Sequence, residues 1–71
     1  MYEWQESQEP DGKLVARLLG TKVLVAPAEG TAPLPWAWEV RFADGQVQVG
    51  YAEDPDAALQ HGKEVAERFL P

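Results

Sequence analysis

Large apolar and polar residues alternate with a period of two in parts of this chain, and the spacing switches to three and four residues near its end. The alternation is clearest in the second half. Trp36, Trp38, Val40 and Phe42 interleave with Ala37, Glu39, Arg41 and Ala43; beyond Asp44-Gly45, Val47, Val49 and Tyr51 interleave with Gln46, Gln48 and Gly50. A period of two marks a strand with one face buried, because successive side chains point to opposite faces. Asp-Gly is a strong signal for a two-residue hairpin turn. Such a turn predicts the pairs Phe42–Val47, Val40–Val49 and Trp38–Tyr51, with all six large residues on one face. The expected core is therefore Trp38, Val40, Phe42, Val47, Val49 and Phe69. Glu39, Arg41, Gln46 and Gln48 are expected on the wet face.

The first half reads as strands as well. Glu9-Pro10-Asp11-Gly12 is a turn signal, since proline presets one central position and glycine accepts a left-handed one. A three-residue loop there places Trp4 opposite Leu18. Gly20-Thr21 suits a type II′ turn, which predicts the pairs Leu18–Val23 and Ala16–Val25. Leu14, Ala16, Leu18, Val23 and Val25 then share one face; Val15, Leu19 and Leu24 fall on the other, beside Arg17 and Lys22. Residues 27–35 hold three prolines and a glycine and read as a connector.

The switch in period announces a helix over residues 54–70. Asp54 suits the N-cap, Pro55 the first helical position and Asp56 the positive end of the helix dipole. Ala58, Leu59, Gly62, Val65, Ala66, Phe69 and Leu70 make one apolar stripe. Gly62 inside that stripe implies close approach of the helix to the sheet. A one-sided sheet and a one-sided helix bury each other. The expected fold class is α+β: an antiparallel β-meander of four to five strands packed on one C-terminal α-helix in two layers, with residues 1–71 as a single small domain.

Composition narrows the chemistry. The chain has 71 residues, no cysteine and a formal net charge of −6. No disulfide framework or thiolate zinc site is possible. The net charge opposes phosphate backbones and anionic membrane surfaces, so neither nucleic acid nor membrane is an expected partner. The acidic start and the lack of a long apolar run predict a cytoplasmic location. The inventory for catalysis is poor: Ser7 and His61 are the one serine and the one histidine, and nothing in the pattern brings them together. Glu53, Asp54 and Asp56 lack the spacing of a calcium loop. We therefore expect no catalytic, cofactor or metal site.

What remains is binding. Tyr2, Trp4, Val15, Arg17, Leu19, Leu24 and Trp36 are the candidate partner-binding residues, because aromatic and apolar groups outside a core are the usual anchors of interfaces. The segments Trp38-Glu39-Val40-Arg41-Phe42, Val49-Gly50-Tyr51-Ala52, Asp56-Ala57-Ala58-Leu59 and Glu64-Val65-Ala66 resemble the strand–turn–helix core of HicB-like antitoxin domains. The resemblance covers residues 38–70, and Ala43-Asp44-Gly45 stands where that family has a proline- and glycine-containing strand end. It implies a non-enzymatic domain that dimerises and binds a protein. The expected function is a protein-interaction or regulatory module that self-associates as a homodimer. Two alternatives stand beside it: a small acidic phage-type inhibitor mimicking nucleic acid, and a single-stranded nucleic-acid binder that stacks bases on the sheet aromatics.

Overall fold

The structure, a computed structural model, describes residues 2–70. Five strands and one helix follow one another: β1 (Gln5–Gln8), β2 (Leu14–Leu18), β3 (Thr21–Pro27), β4 (Trp36–Arg41), β5 (Val47–Ala52) and α1 (Pro55–Glu67). The strands form a single sheet in the order β1-β2-β3-β4-β5, every neighbouring pair antiparallel. Helix α1 covers one face, chiefly over β3 and β4. The meander under a C-terminal helix is the expected architecture.

Local chemistry explains the helix. Asp54 is extended (φ −145°, ψ 166°) and its carboxylate accepts the Ala57 backbone N–H at 2.7 Å, satisfying one of the free donors of the first turn. The residues α1 buries are Ala58, Gly62 and Ala66, one per turn and all small. They let the helix axis approach the sheet closely. A Cβ built on Gly62 would lie 2.5 Å from Val23 Cγ1, so α1 rests almost directly on β3. Beneath it, Ala16, Val23 and Val40 form one fully buried row with Ala66; Val25, Ala52 and Ala58 form a second, flanked by Trp36 and Trp38.

The turns explain the registers, and two differ from expectation. Both Asp-Gly turns are three-residue loops of one design. Gly12 (φ 89°) and Gly45 (φ 95°) take the left-handed position, and Asp11 and Asp44 accept the backbone N–H two residues on, at 3.1 and 3.0 Å. Glu9 N–H donates to the Lys13 carbonyl, and Phe42 N–H to the Gln46 carbonyl. The bond from Lys13 N–H also holds the Asp11 carboxyl below its ordinary pKa. This is the predicted loop for the first hairpin, and the pair Gln5–Arg17 ends a ladder that points Trp4 toward Leu18. At Asp44-Gly45 a two-residue turn was expected. That turn needs a positive φ at both central residues, whereas here only Gly45 has one.

One extra loop residue turns every side chain of β5 over. Trp38 pairs with Gly50, Val40 with Gln48 and Trp36 with Ala52. The expected core is corrected accordingly: Val47 is 52% exposed and Val49 62%, both on the open face, and Phe69 is 64% exposed beyond the end of α1. Gly50 makes this register possible. Its missing Cβ would lie 2.2 Å from Trp38 Cζ2, so the indole lies directly on the strand. The β2–β3 register also shifts, by two residues. Leu18 pairs with Thr21 and Ala16 with Val23, so Leu19 and Gly20 are the central turn residues, both with positive φ (51° and 81°). A shift of two preserves the faces, and Val23 and Val25 remain buried.

The helix-to-sheet contact makes a sharp expectation. Gly62→Ala should gain about 1 kcal/mol of helix propensity. Its methyl group, however, meets the fully buried Val23, and overpacking a core costs about 1–3 kcal/mol. A net loss of stability, seen as a lower urea midpoint, is the expected outcome; a more stable variant would place α1 farther from β3.

Candidate functional site

The helix covers one face of the sheet, and the other is open. Its side chains stand in rows that cross the strands. Gln5, Arg17, Lys22, Arg41 and Val47 form one row; Ser7, Val15, Leu24, Glu39 and Val49 form the next; Ala26, Ala37 and Tyr51 belong to a third. The first row sets three of the chain's six cations side by side. Like charges directly opposite on a sheet destabilise it. Arg41 is paired with Glu39, its neighbour on the same strand face. The row is thus a local basic strip on a chain of net charge −6. The second and third rows place Val49 and Tyr51 at the β5 end, the latter 41% exposed.

A second open feature lies beyond the C-terminal end of α1. Leu19, Thr21, Phe42, Gln46, Phe69 and Leu70 contribute to a cleft of about 470 Å³. Phe42 and Phe69 meet edge to face, with ring centres 5.4 Å apart and an interplanar angle of 78°. On the rim, Leu19 is 67% exposed while its backbone is left-handed. Leucine is disfavoured on both counts: the left-handed region costs a side chain with a Cβ about 1–2 kcal/mol, and water is a poor surrounding for an isobutyl group.

The candidate partner-binding residues divide between the faces. Tyr2, Trp4 and Trp36 belong to the helix side. The Tyr2 hydroxyl donates to the Leu70 carbonyl at 3.2 Å, and Trp4 Nε1 donates to Glu67 Oε2 at 2.8 Å, so the N-terminal segment is tied to the last turn of α1. Lys63 adds an ion pair to Glu6 of β1. Trp36 packs in the cluster with Val25, Ala52 and Ala58. Val15 faces the open side but is only 2% exposed, held between Ser7 and Leu24, and offers no contact surface. Arg17 and Leu24 are the candidates that reach the open side, Arg17 exposed and Leu24 half-buried, while Leu19 is exposed at the rim of the cleft. Val47, Val49, Tyr51 and Phe69 were missed as surface residues. The signal that could have revealed the first three is Gly50, since a glycine inside a strand marks close approach by a neighbour.

Ser7 lies on edge strand β1, paired with Val15, and His61 is exposed on α1. Among the described residues no group of three or more His, Asp or Glu side chains is placed to hold a metal ion, and no helix is long and apolar enough to cross a membrane. Comparison of the chain with protein-family models, with curated proteins and with solved structures finds no match.

Leu19 gives a direct test of its own strain. Leu19→Asn creates Asn-Gly, the pair best suited to a turn with two left-handed residues, and removes little buried surface. Thermal or urea unfolding should show a gain of about 0.5–1 kcal/mol. A variant less stable than the parent would mean that the leucine packs on the cleft closely enough to offset its backbone cost.

Proposed function

We propose that this chain is a non-enzymatic protein-interaction module that self-associates. One observation carries the reading: four apolar side chains, at one cleft and along one sheet edge, stand mostly in water. The fully buried side chains are valines and alanines, while Leu19, Phe69, Val49 and Val47 are all more than half exposed. Exposed apolar groups that cluster at a cleft and along a sheet edge are characteristic of binding surfaces. A strained backbone at an exposed leucine argues in the same direction, since such strain is retained where a side chain is needed in place. The basic strip beside Val47 suits a partner that presents acidic as well as apolar groups. The likeness of residues 38–70 to HicB-like antitoxin domains implies the same class of function.

The single-strand binder is a second reading, and the Arg17–Lys22–Arg41 row with Tyr51 is the observation that favours it. Against it, the tryptophans meant to stack bases, Trp36 and Trp38, pack on the helix side.

The test is retention of a protein from cell lysate by the immobilised parent and by a Leu19→Asn/Phe69→Ser variant, with unfolding measured on both. A protein held by the parent and lost by a folded variant is the expected result; equal retention would overturn the reading. Labelled oligonucleotides at physiological salt should show no submicromolar complex, because the net charge opposes counterion release. A submicromolar complex abolished by Lys22→Glu would replace this reading with the second.

A further inference from the structure

We propose that two copies of this chain pair antiparallel along β5, about a two-fold axis through Val49, to form one ten-stranded sheet. The inference rests on the self-associating reading above and specifies its seam. The sheet has two edges, and they differ. β1 is four residues long, entirely polar, and carries Glu6 in an ion pair with Lys63. Short length and charge are the usual protection of an edge. β5 reads Val-Gln-Val-Gly-Tyr-Ala, without a charge or a proline. Each copy therefore offers one unprotected edge, and pairing closes at two.

The hydrogen-bond alternation makes that edge ready. Phe42 N–H donates to the Gln46 carbonyl at 2.8 Å. Bonded pairs recur at every second residue of an antiparallel ladder, so Gln48, Gly50 and Ala52 bond to β4. Val47, Val49 and Tyr51 then direct their N–H and C=O groups to the open edge.

The register follows from the faces. Open-face residues must meet open-face residues, which leaves two centred arrangements, Val49 on Val49 or Gly50 on Gly50. The second sets Glu53 against Val47 on the apolar stripe. The first sets Val47 against Tyr51 and Val49 against itself, and joins the two stripes without a charge between them.

On the helix-side face, this register sets the second copy's Gln48 opposite Gly50. The arrangement also brings Asp44 of each copy near Asp54 of the other, beyond the ends of the ladder. Added salt should therefore tighten the dimer. One six-residue strand is about 20 Å long, and its seam buries less than the ~1,000 Å² of a tight interface, so the dimer should form at micromolar concentration.

The chain has no cysteine, so a single introduced thiol reports the seam cleanly. Under mild oxidation Val49→Cys should give a disulfide-linked dimer, because residue 49 faces its own symmetry mate at a distance a disulfide spans. Val47→Cys should not, because its mate lies about 14 Å along the strand. Sedimentation should show a concentration-dependent parent dimer, and Val49→Lys should weaken it at least about tenfold. Since Val49 is exposed, neither change disturbs the core. A dimer untouched by Val49→Lys, or equal cross-linking at 47 and 49, would overturn the β5 seam and leave self-association standing. A parent that sediments as a monomer at high micromolar concentration would overturn both, whereas capture of another protein would stand or fall separately.

Discussion

The indole of Trp38 lying flat on Gly50 is the contact on which the rest of the molecule depends. It lies between sheet and helix, with its Cβ 3.7 Å from the position a Gly62 side chain would occupy. Two glycines thus frame one tryptophan, Gly50 on the strand beside it and Gly62 on the helix above. A side chain at either would push into space that is already filled. The same principle repeats one pair along the ladder, where Trp36 faces Ala52. At these two pairs large residues on β4 are matched by small ones on β5, so the side chains can interdigitate.

That matching has a consequence for the surface. A domain of this size has little interior, and Trp36 and Trp38, both half-buried, pack against it from β4. β5 must then turn its valines and its tyrosine outward. The helix, lying close over β3, ends before Phe69, which is left at the rim of the cleft with Leu19. The exposed apolar groups are therefore a product of how the core is filled, and they fall in two places, one sheet edge and one end of the helix. Both places combine exposed apolar area with open backbone or a cleft.

Charge is arranged by the ladder in a way that chain order conceals. Arg41 is far along the chain from Arg17 and Lys22, yet the meander sets it directly beside Lys22. Glu6 and Glu67 bind Lys63 and Trp4 on the helix side instead. A strongly acidic protein consequently shows one basic strip, on the face that no helix covers.

The sequence by itself determined the strand and helix content, the capping of α1 by Asp54, the three-residue first turn, the faces of β2 and β3, and the close approach at Gly62. These follow from short-range rules: periodicity, turn chemistry and helix-end chemistry act within a few residues. The register of β5 and the surface it creates were decided by tertiary structure. Asp44-Gly45 favours a two-residue turn locally but is also compatible with a loop of three. The choice is made by the Trp38–Gly50 and Trp36–Ala52 contacts, which exist only once two strands and a helix have come together. Because a strand has a period of two, that single residue of loop length reverses every side chain of β5, and with it the division between core and exposed surface.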